Sequence, residues 1–363
     1  MRVLLVGGAG YIGSHVALRL SERGFVPVIY DNFSTGHRRF VDQFEVIQGE
    51  MADCECLRHA LKNIDAVIHF AAKAYVGESI LKPREYYTTN MTDALTLLNA
   101  TVDAGIRKFI FSSSCAVYGV PEQLPIRETT PRIPINPYGQ TKAAFEDALR
   151  SYSAAYGLRF VALRYFNAAG ADESGTLGEM RSTETHLIPL VLKAALRRSQ
   201  QVNIFGNDYT TPDGTCIRDY IHVNDLASAH VSALELLFNE GESDVFNLGT
   251  GVGFSVLEVI AAAEKVSSLR VPRAILPRRT GDPPILVCDG EHARRKLHWS
   301  PQRGLIEILR TAWKWQIANQ ADDLLSTPLR QSSAQHRPLS IYHAQDAYQS
   351  AGRQSVSDKG ASR

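Results

Sequence analysis

Short apolar runs alternating with stretches of helical periodicity fill the first half of this chain, and that alternation restricts the fold more than any other feature. RVLLVGG, VPVIYD, DAVIHFAA, KFIFSSS and RFVALRYFN read as strands. Between them lie helical patterns at 12 to 24, around 84 to 104, and after Pro137. Strands separated by helices of this length need crossover connections, which are right-handed and build a mostly parallel sheet covered on both faces. The expected fold is α/β and doubly wound.

The glycines refine that expectation. VGGAGYIG sets Gly7, Gly10 and Gly13 directly after an apolar strand and at the start of a helix. In that context glycines serve a tight turn, the close approach of backbone N–H groups to a pyrophosphate, and close helix-to-strand packing, as in a Rossmann-type dinucleotide site. Asp31 closes the second strand 18 residues after Gly13, near the roughly 20 expected of a carboxylate that grips an adenosine ribose. Such a carboxylate repels a 2′-phosphate, so the expected cofactor is NAD. Two other readings stay open: Asp31 as a turn former before Asn32, and NADP through the neighbouring Arg38 and Arg39.

Beyond about residue 168 the pattern loosens. A loop-rich stretch leads to a helix near 187 to 198, then to turn-rich FGNDYTTPDGTCIRDYIHV, and two short strands, DVFNLGT and RAILPR, stand among helices up to about 318. This region reads as a smaller lobe over the carboxyl ends of the strands. The expected division is 1–167 and 168–320, with segments of the second part returning to the sheet. Residues 326–363 are poor in apolar residues and read as a disordered tail.

Bulk properties exclude several function classes. With 39 Lys and Arg against 38 Asp and Glu, the net charge of +1 offers no global field for nucleic acid or an anionic membrane. Any anionic ligand must be held by local cations. The five cysteines (54, 56, 115, 216 and 288) include no C-x-x-C pair, which argues against a disulfide framework and a zinc site. No apolar run approaches the roughly 18 residues of a membrane span. The expectation is a soluble, cytoplasmic protein with no metal.

NPYGQTK, residues 136 to 142, poses the chemical question. Asn136 is a good helix cap and Pro137 suits the first helical position, so Tyr138 and Lys142 fall one turn apart on one face. By spacing alone they are an acid–base pair or two ordinary surface neighbours. A phenol is a poor base at neutral pH unless a nearby cation favours the phenolate.

The stretches GGAGYIGSH, YDNFSTGH, HFAA, VGES, EYYTTN, FSSSCAVYG, NPYGQTK, LRYFNAAGA, IFGNDYTTPDGTCIRDYIHVNDLA, FNLGTG and RRTGDPP occur in order over residues 1 to 318. Together they resemble the UDP-glucose 4-epimerase family, within the extended short-chain dehydrogenases/reductases. The resemblance implies that Tyr138 is the catalytic base, Lys142 its partner and Ser114 the hydroxyl beside the sugar O4. It implies NAD contacts at Gly7, Gly10, Tyr11, Ile12, Gly13, Asp31, Asn32, Glu50, Met51, Phe70, Ala71, Asn90, Tyr138, Lys142 and Phe166. For the UDP-sugar it implies Ser114, Tyr138, Asn167, His186, Leu187, Asn203, Phe205, Arg218, Arg279 and Asp282, with the two arginines on the diphosphate. Residues 1–167 would then bind NAD and 168–320 mainly the UDP-sugar. The implied reaction oxidises sugar C4, rotates the 4-keto sugar and returns hydride to the opposite face, so the cofactor stays bound.

A homodimer is also implied, through helices including the one after Pro137. Its Phe145, Ala148, Leu149 and Tyr152 form an apolar stripe that serves equally well as core. For Arg218 a salt bridge with Asp219 or Asp225 is the bland reading, and for His186 a helix-start position without ligand contact.

Three departures stand out. Glu50 replaces the family's usual Asp, Lys73 is not assigned to the nicotinamide side, and Leu286 stands where some members carry a bulky tyrosine, which leaves N-acetylhexosamines open as substrates. UDP-pentoses and UDP-glucuronate share the chemistry. Dehydratases and decarboxylases of this fold place acids where Cys115 and Ala116 stand here. A non-catalytic NAD(H)-sensing protein would typically lack the Tyr–Lys pair.

Overall fold

A computed structural model describes residues 1–279 and 282–319. The expected tail at 326–363 lies outside the described residues. The strands are β1 (Arg2–Val6), β2 (Val26–Asp31), β3 (Glu45–Gln48), β4 (Ala66–His69), β5 (Lys108–Ser114), β6 (Arg159–Tyr165), β7 (Asn167–Ala169), β8 (Val202–Phe205), β9 (Ile217–His222), β10 (Asp244–Leu248), β11 (Gly253–Ser255), β12 (Arg273–Leu276) and β13 (Ile285–Leu286).

Seven of them form one parallel sheet in the order β10-β6-β5-β4-β1-β2-β3. The chain winds outward from β1 to β3, then restarts on the other side of β1 at β4. That reversal opens a crevice at the carboxyl ends of β1 and β4, where ligands of open α/β sheets bind.

Side chains alternate across each strand, so both faces of the sheet are apolar. Leu5, Ile29, Ile68, Ile110 and Val161 pack on one face with Val16 and Leu20 of helix Tyr11–Glu22 and Leu226 and Leu234 of helix Val223–Phe238. Leu4, Val28, Val67, Phe109 and Ala162 pack on the other with Leu57, Leu97, Leu98, Phe145 and Leu149. Phe145 and Leu149 are each 0% exposed. Phe145 and Leu149 of the apolar stripe after Pro137 are therefore core, where helix Pro137–Tyr156 lies on the sheet, while Ala148 and Tyr152 are only partly buried against it.

The second half contains a four-stranded sheet, β11-β9-β13 with β7 also on β9, and the pair β12-β8. Helices Leu187–Ala195, Val256–Ser267 and Leu305–Ala318 share a separate core there. β10, from this half, pairs with β6 from Asp244↔Val161 to Leu248↔Tyr165.

Two local expectations need correction. β9 is a regular strand inside the stretch read as turns; its charged pair disguised it. The helix expected around 84 to 104 is interrupted: Pro83–Tyr87 runs into a π-helical turn, Thr88–Asp93, before Ala94–Asp103. Among the described residues, no helix is long and apolar enough to cross a membrane.

Candidate active site

The carboxyl ends of the parallel strands collect most of the residues singled out from sequence. Gly7 follows β1, Asp31 ends β2, Phe70 and Ala71 follow β4, Ser114 ends β5, and Phe166 and Asn167 follow β6. Because the strands run the same way, these positions line one edge.

The glycine-rich loop is built for close approach. Gly7 has φ +79°, and a Cβ there would stand 2.5 Å from the Ala71 nitrogen; one on Gly13 would stand 2.6 Å from the Gly7 carbonyl. Gly10 caps helix Tyr11–Glu22 without a side-chain hydrogen bond. The N–H groups of that first turn are thus left for an external acceptor, and the helix dipole favours an anion. These features fit a dinucleotide pyrophosphate.

Asp31 ties this loop to β2. Its Oδ2 accepts from Ala9 N at 2.9 Å and its Oδ1 from Phe33 N at 2.8 Å. Burial raises its carboxyl pKa, while those two N–H groups pull it down. The turn-forming role is thus realised, and each oxygen keeps a lone pair for a ribose hydroxyl. Asn32 Nδ2 donates to Glu50 Oε2 at 2.9 Å, which places the Glu50 carboxylate beside Asn32. Met51 is buried in the core behind it, and Ile12 packs against the opposite core. Tyr11 donates its hydroxyl to the Gly170 carbonyl at 2.7 Å, bridging the loop to the second half. Asn90, on the π-helical turn, accepts from Lys73 N at 2.9 Å and donates to Thr141 Oγ1 at 3.2 Å. Lys73 itself pairs with Glu85 at 2.7 Å.

Helix Pro137–Tyr156 starts as its sequence dictates. Asn136 Oδ1 accepts from Gly139 N at 2.9 Å, and Pro137 occupies the first turn. Tyr138 then faces Ser114. Burial lifts the Tyr138 phenol to about 12; a hydrogen bond from Ser114 and the Arg181 guanidinium act against that rise, and Cys115 adds to it. Lys142 departs from the simplest expectation. Its Nζ donates to the Ser112 carbonyl at 2.7 Å and lies 5.8 Å from the Tyr138 ring centre. Burial drops the amine to about 7, with Glu146 pulling it back up. Lys142 is anchored to β5 and does not touch the phenol oxygen.

The second half supplies a polar rim. Arg218 Nη2 pairs with Asp282 Oδ1 at 2.8 Å, so its ion-pair partner is Asp282, not Asp219 or Asp225. Asp219 instead accepts from the backbone N–H groups of Thr250, Gly251 and Cys288, and Asp225 pairs with Arg303. Arg279 stacks over Phe205, 3.7 Å from the ring centre. Asn203 is exposed on β8, and Leu187 begins the helix Leu187–Ala195. His186 caps that helix, and its Nδ1 lies 2.5 Å from Glu179 Oε1, which also accepts from Arg181 Nε at 2.7 Å. Burial alone would lower His186, but the Glu179 carboxylate outweighs it and raises the imidazole pKa. This Glu179–Arg181–His186 cluster escaped the sequence reading, because nothing in the spacing GEMRSTETH marks which charges meet.

A glycine cradle at a helix N-terminus, an acid ending β2, and a Ser, Tyr and Lys at the ends of β5 and its following helix define a dinucleotide-dependent enzyme of the short-chain dehydrogenase type. Residues 3–249 match the model of the NAD dependent epimerase/dehydratase family, and the chain belongs to that family. It is 50% identical over 315 residues to UDP-glucose 4-epimerase of Rhizobium leguminosarum bv. trifolii, covering 86% of this chain and 96% of that one. The crystal structure of UDP-glucose 4-epimerase from Brucella ovis in complex with NAD superposes with a TM-score of 0.84 at 49% identity, covering 86% of this chain and 97% of the other. That of the Stenotrophomonas maltophila enzyme, with bound NAD and formylated UDP-arabinopyranose, gives 0.86 at 40% identity, covering 89% and 99%.

Proposed function

We propose that this chain interconverts UDP-galactose and UDP-glucose through transient oxidation at sugar C4. The observation that carries this reading is its 50% identity to a UDP-glucose 4-epimerase along 96% of that enzyme. The glycine cradle and Asp31 support residues 1–167 as the NAD-binding domain. The Arg218, Asp282 and Arg279 rim supports 168–320 as the main UDP-sugar lobe. NAD held by the cradle and Asp31 would supply a reversible hydride acceptor for sugar C4.

The chain's own residues do the rest. Ser114 and Tyr138 hold the 4-hydroxyl between them, and Tyr138, acting as the phenolate that a protonated Lys142 favours, receives its proton as the 4-keto sugar forms, then returns it. Lys142 fixes the helix against β5 and supplies a cation when protonated. Arg218 and Arg279 hold the diphosphate and Asp282 the uridine ribose. Asn167, His186, Leu187, Asn203 and Phe205 border the sugar and base. Leu286 in place of a bulky tyrosine leaves room for an N-acetyl group, which conversion of UDP-N-acetylgalactosamine would test. The reading includes a cytoplasmic homodimer, formed through helices including the one after Pro137, which sedimentation checks.

Incubation of the purified protein with UDP-galactose, with no added cofactor, tests the assignment. Formation of UDP-glucose is expected. No conversion with or without added NAD, while NAD still binds, would overturn it.

A further inference from the structure

Behind Tyr138 and Lys142 lies an ionic network that has no part in the chemistry above. Glu146 on helix Pro137–Tyr156 is 0% exposed and Arg164 on β6 is 1% exposed. Arg164 grips both carboxylate oxygens, Nε to Oε1 at 2.9 Å and Nη2 to Oε2 at 2.6 Å. Its Nη1 donates to the Tyr118 hydroxyl at 2.7 Å. Glu146 Oε1 also accepts from the Ser113 hydroxyl at 2.7 Å, and Oε2 from Arg132 at 3.3 Å. Apolar side chains of similar volume usually stabilise such a place as well as a buried ion pair does, so stability alone is a poor reason for this one.

Its position supplies a better reason. Tyr138, Lys142 and Glu146 follow one another at four-residue steps along one helix face. Opposite them, Ser112, Ser113 and Ser114 are consecutive on β5. The helix is bolted to the strand twice, by Lys142 to the Ser112 carbonyl and by the Ser113 hydroxyl to Glu146. The next residue along the strand is the one that faces Tyr138.

Resting on the catalytic roles proposed above, we infer that Glu146, clamped by Arg164, is a positioning residue that sets the register between the end of β5 and the helix, and so the placement of Ser114 against Tyr138. Glu146 is also the carboxylate that acts on Lys142. The other groups around Lys142 are Tyr138 on its own helix, the Ser112 carbonyl and Phe111 on β5, and His69 on β4, kept neutral because burial, helped by the Lys142 charge, drops it to about 3. Arg164, Arg132 and Arg150 face Glu146 rather than the amine.

Two variants of the holoenzyme test this. Ser113→Ala removes one bolt and leaves the ion pair intact; kcat should fall by about tenfold at unchanged KM and unchanged bound NAD, because misplacement of a reacting group costs rate rather than binding. Glu146→Gln with Arg164→Met removes both buried charges together, and the alkaline limb of kcat against pH should move toward acid by about half a unit or more as Lys142 loses its proton more readily. If the double variant does not fold, Ser113→Ala decides alone. Wild-type kcat in Ser113→Ala overturns the inference. Loss of all turnover in the wild-type protein would instead overturn the epimerase reading, so the two failures are distinct.

Discussion

At the scale of single residues the site is set more by burial than by charge. The Tyr138 phenol is lifted to about 12 and the Lys142 amine lowered to about 7, both chiefly by desolvation. Tyr138→Phe removes the proton acceptor and leaves the helix, the cap and the Lys142 anchor untouched. It should fold normally and retain NAD while losing turnover by about 10²- to 10⁴-fold. Turnover near the wild-type rate, with UDP-galactose as substrate, would rule out Tyr138 as the base. Tyr138 and Ser114 were legible as partners only through the family resemblance; the Asn136 cap and Pro137 placed the helix start but not what Tyr138 meets. That Lys142 would bond a backbone carbonyl was not legible, since a carbonyl carries no sequence signal. Nor was the Arg218–Asp282 pair, 64 residues apart and made by the lobe's own folding.

At the scale of elements, two glycines with nearly the same backbone angle separate strain from site. Gly7 (φ +79°) would drive a Cβ to 2.5 Å from the Ala71 nitrogen, whereas Gly24 (φ +81°) would place one in open space. Gly24→Ala should cost only the left-handed backbone term, about 1 kcal/mol. Gly7→Ala adds a clash with backbone beside the cradle, so it should also shed NAD on gel filtration; equal NAD retention in the two variants would remove Gly7 from the cofactor site. The sheet was largely legible because its strands are buried on both faces and read as continuous apolar runs. β9 was hidden by the adjacent charges of Arg218 and Asp219, one paired with Asp282 and the other spent on backbone N–H groups of a neighbouring turn. Its strand character is set by pairing with β7, β11 and β13, all distant in sequence.

At the scale of the molecule, four histidines are held neutral in the interior. Burial lowers His15 and His230 to about 4 and His69 and His222 to about 3, and each is no more than 2% exposed. The unfolded chain takes up these protons near pH 6.5 and the folded one does not. Their contribution is therefore complete above about pH 6.5 and is lost as pH falls toward the folded values, on the order of 3 kcal/mol for each group at the extreme. Urea midpoints should drop steeply between about pH 6 and 4, and a midpoint that stays level across that range would show that these rings are protonated in the fold. β10 reaches from the second half to the edge of the main sheet beside β6, so the lobe and the sheet share one hydrogen-bonded ladder. The π-helical turn at Thr88–Asp93 acts on a longer range than its six residues suggest. One extra residue in a helix of 3.6 per turn rotates everything beyond it by about 100°. The turn is thus a phase shifter: it lets one continuous run of chain present Tyr86 toward Tyr75 and Glu78, Asn90 toward Thr141, and Leu97 and Leu98 toward the sheet, three directions that a straight helix would not offer at that spacing.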